Sequence, residues 1–488
     1  MFAFENTYAR DLPGLYAPAT PRTPAEPRLV LLNASLAEEL GLDPATLQER
    51  GAAWLSGAEV PDGAEPIAQA YAGHQFGHLN PHMGDGRAVL LGELVDRHGH
   101  RRDVQLKGSG RTPFSRGGDG KAALGPMLRE YLMGEAMHGL GIPTTRALAV
   151  VATGEPVYRD TLLPGAVLTR VASSHLRVGT FEFFAIRQDQ ERLTRLLDYT
   201  IRRHVPEAVD APDPAVALFR SVRDATAKLV AQWMAVGFIH GVLNTDNTAL
   251  SGETIDYGPC AFLDAHIPST VFSSIDRGGR YAYGNQPGIL HWNLSRFARA
   301  LLPLVDADPQ TAADTLQPIF DAFPDVYAAE RLAVMRPKLG LQRADPMDES
   351  LVDALDTVME EARADHTLTL RHLSDHLRGT PDRVEHILRD SPGAPEWLRI
   401  WRDRVAADTD LPPDERAAAM DAVNPLYIPR NHKVEEALSA ASDQGDLGPI
   451  RTLLELFADP YTPQPDREDY SLPAPPAFTS CYQTFCGT

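Results

Sequence analysis

The chain has 488 residues and 53.3 kDa, enough for about three domains or for one two-lobed enzyme with an extension. Hydrophobic residues make up 43% and charged residues 23%, so a sizeable core can be buried and wholesale disorder is excluded. The formal net charge of −20 repels phosphate backbones and anionic lipid. It argues against general nucleic-acid or membrane partners while leaving room for a local basic pocket.

No apolar run reaches the ~20 residues that span a bilayer. The start, MFAFENTYARDLPG, lacks the basic and apolar stretches of a signal peptide, and Glu5 and Asp11 fit a transit peptide poorly. Three cysteines cannot build a disulfide framework, which points to a reducing compartment. A cytoplasmic protein is expected.

In chain order, Pro13, Pro18, Pro21, Pro24 and Pro27 predict an extended N-terminal arm. Ser35–Leu40 reads as a short helix ended by Gly41. Tyr71–Arg87, rich in Gly and His, reads as a functional loop. Ala88–Val95, a turn over Asp96–Arg102 and Asp103–Lys107 give a hairpin signal with a lysine at its end. Lys121–Leu140 has helical spacing through Leu124, Met127, Leu128, Tyr131, Leu132 and Met137, stopped by Gly139, Gly141 and Pro143. Arg146–Ala152 and Ala166–Val171 look like strands. Helical patterns then dominate, at Asp189–Arg203, Ala215–Val236, His291–Val305, Leu351–Arg363 and Val434–Ala441. Six prolines between Pro460 and Pro476 predict a tail rather than a packed element. The expectation is an α+β chain divided into an arm (1–60), a β-rich lobe with one key helix (61–185), a larger helical lobe (186–458) and a tail (459–488).

The most informative segment is Phe238–Asp264, FIHGVLNTDNTALSGETIDYGPCAFLD. Kinase-type phosphoryl transfer needs a loop carboxylate to take the proton of the attacking hydroxyl. It also needs an Asn and a second Asp to hold metal against the phosphates. Asp246, Asn247 and Asp256 supply those types in that order, and hard oxygen ligands suit magnesium or manganese. A polar turn capped by Asp and Asn would give the same short pattern.

The upstream lobe weighs against that simpler reading. Gly84-Asp85-Gly86-Arg87 precedes the hairpin, and glycines let backbone N–H groups approach phosphate oxygens. Lys107 can neutralise phosphate charge if a helix carboxylate holds it. Glu130 and Glu135 are the candidates. Glu130 shares a face with Met127, Met133, Gly134 and Met137, and a charge in apolar company needs a partner, so Glu130 is preferred.

Two other signals fail. His74, His78 and His82 are four apart, but Gly73, Gly77 and Pro81 spoil the helix that a zinc motif would need. Gly117-Gly118-Asp119-Gly120-Lys121 is Walker-like, yet Ser115 and Ala122 stand where a Gly and a Ser or Thr belong.

The stretches YAGHQFGHLNPHMGDGRAVLLGE, QLKGSGRTPFSRGGDGKAALGPMLREYLMGEAMHGLGIPTT, LTRVASSHLRVGTFEFF and HGVLNTDNTALSGETIDYGPCAFLD resemble the selenoprotein O (SelO/YdiU) family. The resemblance implies a protein-kinase-like bilobed fold. It implies protein adenylyltransfer: AMP moves from ATP to Ser, Thr or Tyr hydroxyls of proteins, with magnesium or manganese. ATP would sit flipped, with the γ-phosphate buried and the α-phosphate facing the acceptor. Nucleotide contacts are implied at Gly84, Gly86, Arg87, Lys107, Asp119, Gly120, Arg170 and Arg177. The proton acceptor falls on Asp246 and the metal ligands on Asn247 and Asp256.

Arg170 and Arg177 can give charge-assisted hydrogen bonds to terminal phosphate oxygens. Asp119, which a polyphosphate would repel, is expected to accept from adenine or ribose. Two departures strain an ordinary kinase reading. Asp246 is adjacent to Asn247, not several residues before it, and GDGR replaces a full G-x-G-x-x-G. A γ-phosphate kinase and an inactive nucleotide-binding scaffold are the alternatives. Animal members carry a selenocysteine near the C-terminus, where Cys486 lies. A reversible disulfide from Cys260 to Cys481 or Cys486 is therefore an expectation, against one buried small hydrophobe and two exposed thiols.

Overall fold

The prolines of the first thirty residues keep the chain extended, but they do not leave it free. In this computed structural model, which describes residues 2–408 and 411–485, that segment carries α1 (Thr7–Asp11), β1 (Tyr16–Pro18) and β2 (Arg28–Leu32). β1 pairs with β3 (Ile67–Gln69), and β2 pairs with a strand at the opposite edge of the same sheet. The arm thus closes both edges, where a missing proline N–H costs no ladder bond. Tyr8, Leu12 and Leu15 are buried beneath it.

The sheet is antiparallel with eight strands. After a separate hairpin, β4 (Gly73–Gln75) and β5 (His78–Asn80), come β6 (Ala88–Val95), β7 (Arg101–Lys107), the two-residue β8 (Ala122–Ala123), β9 (Arg146–Tyr158) and β10 (Leu162–Ala172). The order is β1-β3-β6-β7-β10-β9-β2, with β8 added to β10. Its register sets the site. Lys107 lies opposite Ala88 on one neighbour and Leu168 on the other, and Arg170 lies opposite Gln105. Facing residues, and residues two apart, share a face. Lys107, Gln105 and Arg170 therefore point the same way.

The other face carries Leu91, Val104, Leu106, Leu148 and Val167, sealed by Leu36 and Leu47 of α2 (Ala34–Glu39) and α3 (Pro44–Trp54). Both helices are capped by side chains, Asn33 on Leu36 N and Asp43 on Ala45 N and Thr46 N.

The face bearing Lys107 takes α4 (Leu124–Gly139). Every apolar position expected of this helix is buried, and Leu128 and Leu132 each contribute roughly 2 kcal/mol by leaving water. α4 starts three residues later than its pattern suggests, because Ala122 and Ala123 pair with β10 as β8.

Helices make up most of the remainder: α5 (Val178–Ala185), α6 (Gln190–His204), α7 (Pro214–Ala235) and α8 (Gln286–Val305). Between α7 and α8, β11 (Phe238–Ile239) and β12 (Ala261–Phe262) bracket the polar loop. Among the helices that escape the sequence pattern are α9 (Pro309–Asp321) and α10 (Phe323–Lys338). Each carries an interior proline near its C-terminal end, Pro318 and Pro337. A second core, around Leu355, Leu373, Trp397 and Trp401, joins α10 to α11 (Asp348–Ala362), α12 (His366–Leu377), α13 (Asp382–Ile387), α14 (Ala394–Ala407) and α15 (Pro413–Asp421). α16 (Asn431–Gln444) and α17 (Gly448–Ala458) return to pack on α4. No helix among the described residues is long and apolar enough to cross a membrane.

The proline-rich end is not the loose tail that its composition suggests. Buried side chains bind its backbone where no ladder forms. Arg430 donates to Ser471 O, and Asp264 accepts from Ala474 N. Beyond the short α18 (Pro476–Thr479), Thr484 donates to Pro259 O, and Tyr482 stacks on Phe478.

Candidate active site

A cleft of about 760 Å³ opens between the sheet and the loop after β11. Its sheet-side wall is set by register. Lys107 Nζ bonds both Glu130 Oε2 and Asp256 Oδ1, while Arg170 reaches Glu130 Oε1 at 3.2 Å and Gln105 Oε1 at 2.6 Å. Glu130, on α4, is thus the partner of two cations, as its apolar surroundings require. Glu135 instead holds Arg146, at 2.7 and 2.6 Å. Asp256 sits at φ +71°, a conformation rare for residues with a side chain. Burial pushes its carboxyl up, but Lys107, Arg87 and Arg170 outweigh that and hold it well below the usual range.

Asp246 has the opposite environment. It lies in a single 3-10 turn, Thr245–Asn247, and is 7% exposed, and its Oδ1 has no hydrogen-bond partner. Burial raises its pKa to about 7, against the pull of Arg177. Two glycines make room here: a Cβ on Gly73 would collide with Asp246 Oδ1, and one on Gly179 with Ala72 O. Asn247 Nδ2 donates to Val242 O at 3.0 Å. His240, buried and held neutral by desolvation, ties the loop to Ile255 O at 2.9 Å.

Arg177, at the start of α5, bonds Asp246 O at 3.2 Å and His175 O at 3.1 Å, and stacks on Tyr71 with 4.3 Å to the ring centroid. Its Nη2 is buried without a hydrogen-bond partner, 4.0 Å from Asp85 Oδ1, and the residue lines the cleft. Gly84 and Gly86 line the same space and pack so closely on Phe114 that a side chain at either would clash. Arg87 and Gly120 also line it, and a Cβ on Gly120 would collide with Gly110 O. Asp119, at the rim and 43% exposed, is already engaged. Arg159 holds it at 2.9 and 3.2 Å and Lys121 N at 2.9 Å, which lowers its pKa. The cleft therefore gathers all eleven residues expected to contact nucleotide, metal or acceptor hydroxyl.

The donor set fits a hard cation. The expected ligands Asn247 and Asp256 line one cleft together with Asp246, whose Oδ1 lacks a partner. No three His, Cys, Asp or Glu side chains among the described residues could hold a metal by themselves. Magnesium and manganese bind through one or two carboxylates together with substrate phosphates.

The histidine series forms no metal motif, because it lies on a hairpin. His74 Nδ1 lies 2.5 Å from Glu182 Oε1, His78 is exposed, and His82 accepts from Arg187. Cys260 is a free, buried thiol that burial pushes up to about 12, and Cys481 is free and exposed. Cys486 lies outside the described residues.

Several participants escape sequence reasoning. Glu182 bridges His74 to the Thr245 hydroxyl, both at 2.5 Å, directly behind Asp246. Its setting, FEFF, carries the same signal that selects Glu130, a charge among apolar residues. Tyr71, Gln105 and Asp85 become visible only through their contacts with Arg177, Arg170 and Gln69.

A family model described as "Protein adenylyltransferase SelO" matches residues 2–458. The chain belongs to the SelO family. A relative from Cereibacter sphaeroides, named "Protein nucleotidyltransferase YdiU", is 58% identical over 100% of both chains. Relatives of the same name from Chromobacterium violaceum and a Bradyrhizobium are 55% and 54% identical. The first covers 98% of this chain and 100% of its own, the second 100% and 99%. SelO membership thus spans the sheet, the cleft and the helical remainder together.

Proposed function

We propose that the chain binds ATP with its triphosphate directed inward and transfers AMP to Ser, Thr or Tyr hydroxyls of proteins. As a SelO-family member it is a nucleotidyltransferase acting on protein. The observation that carries the finer reading is the buried, unpartnered Asp246 carboxylate oxygen in a cleft whose wall holds Lys107, Arg170 and Arg177. An anionic triphosphate needs those cations, and an acceptor hydroxyl needs that oxygen. The division into a sheet lobe with α4 and a helical lobe supports a kinase-like plan, and two free thiols suit a cytoplasmic setting.

In this reading the acceptor oxygen attacks the α-phosphorus in line while its proton passes to Asp246. The bond from the α-phosphorus to the bridging oxygen breaks, and pyrophosphate leaves with that electron pair. Lys107, Arg170 and Arg177 offset the charge on the departing group. Asn247 and Asp256 would hold magnesium or manganese, which when bound supplies further charge neutralisation across the phosphates. Gly84 and Gly86 give the backbone access to phosphate oxygens. Asp119 can serve the nucleoside only by giving up part of its pairing with Arg159.

ATP labelled at the α-phosphate tests this against ATP labelled at the γ-phosphate. Label from the α-position is expected on protein, and its transfer is expected to vanish in Asp256→Ala. Protein labelled only from the γ-position would make the chain a kinase, and no label from either would make it a nucleotide-binding scaffold.

A further inference from the structure

Outside the cleft, on the Asp246 side, two guanidinium groups gather on one indole. Arg280 and Arg296 each lie 4.9 Å from the centroid of the Trp292 ring. Neither has a carboxylate within 4 Å among the described residues. Arg280 Nε is buried with no hydrogen-bond partner. The nearby Asp276 carboxylate is turned to backbone, accepting from Arg280 N and Tyr281 N. Arg277 and Arg299, exposed, lie three residues along the chain from Arg280 and Arg296 respectively. In a chain of net charge −20, two guanidinium groups on one ring with no carboxylate within 4 Å among the described residues form a conspicuous site.

The patch is wired to the reaction centre. The His74 ring meets Trp292 edge-on at 5.4 Å, and His74 N donates to Thr245 Oγ1 at 2.7 Å, one residue from Asp246. Phe76 and Ile275 line the cleft, and Tyr281, next to Arg280 in the chain, packs on Phe76 at 5.1 Å. Leu79, opposite His74 on β5, and Ile275, which lines the cleft, are exposed large apolar side chains, 43% and 50% accessible. Arginine, tryptophan and exposed aliphatic groups around a polar centre are the composition of a recognition surface.

We propose that Arg280 and Arg296, assembled on Trp292, dock an acidic segment of the acceptor protein and so present its hydroxyl to Asp246. This rests on the adenylyltransferase reading and names its substrate class: proteins whose acceptor hydroxyl has Asp or Glu close by in sequence or space. Complementary charge sets partner choice and association rate more than intrinsic chemistry. The effect therefore belongs in KM for the protein substrate, not in ATP binding.

The test uses the full chain, ATP labelled at the α-phosphate, and three sets of peptides with one Ser, Thr or Tyr flanked by Asp/Glu, by Ala or by Lys. Acid-flanked peptides are expected to show about tenfold higher kcat/KM than Ala-flanked ones, an advantage lost in the Arg280→Ala/Arg296→Ala variant. Binding of a non-hydrolysable ATP analogue to that variant should be unchanged, which also reports that it is folded. A second readout does not depend on transfer: anisotropy of a fluorescent Asp/Glu peptide lacking any hydroxyl, with and without added salt. It should bind the parent chain, weaken with salt, and fail to bind the variant. Transfer without charge preference, or a preference that survives the double substitution, would overturn the docking site and leave the adenylyltransferase reading intact. Absence of transfer from every peptide would remove that reading, and the anisotropy would still decide whether the patch binds acidic peptide. An oligodeoxynucleotide that binds as tightly as a peptide of equal charge would assign the patch to nucleic acid instead.

Discussion

Two carboxylates ten positions apart occupy opposite kinds of surroundings. Asp256 belongs to a saturated cluster in which Lys107, Arg170 and Glu130 balance one another. Asp246, across the same cleft, is buried with an oxygen that nothing binds. A balanced cluster contributes to holding the fold together, because removing one member strands the others. An unbalanced group costs stability and is retained for what it does to a ligand.

That contrast is sharpest under substitution. Asp246→Asn keeps the shape and removes the carboxylate proposed to accept the proton. It should lower kcat by about 10²- to 10⁴-fold, with the thermal midpoint unchanged or raised, since a desolvated charge is lost. Steady-state kinetics alongside calorimetry checks it, and a large fall in the midpoint would break the contrast. Glu130→Gln should do the reverse on stability, costing about 3 kcal/mol in urea unfolding because Lys107 and Arg170 lose a shared buried counter-charge.

A smaller effect comes from the sheet's far end. Burial lowers the His175 pKa to about 4 despite Asp103 beside it at 3.1 Å, and lowers His204 to about 3. Both stay neutral in the fold while the unfolded chain takes up protons below about pH 6.5. Their share of stability is therefore complete above that pH and is lost as pH falls toward 4. Unfolding free energy should drop by about 1 kcal/mol per histidine between pH 7 and 5.5. His175→Gln should flatten that slope, and an unchanged slope would contradict the assignment.

The sequence reads well where one element carries its own signal. Ala88–Val95 is a strand with the expected bounds, and Glu130 is identified by the helical face it shares with Met127 and Met137. It reads poorly where partners come from distant segments. Glu182, His74 and Thr245 meet only because α5, the β4–β5 hairpin and the loop after β11 converge. The termini mislead for a related reason. Proline excludes a segment from a central ladder but not from an edge strand such as β1, nor from side-chain anchors such as Arg430.

The orientation of the triphosphate is the point on which the rest turns. A structure of the chain with a non-hydrolysable ATP analogue and magnesium measures it directly. The terminal phosphate should lie against Arg170 and Arg177, with the α-phosphorus open toward Asp246. Adenine buried at those arginines, with the γ-phosphate facing Asp246, would contradict it.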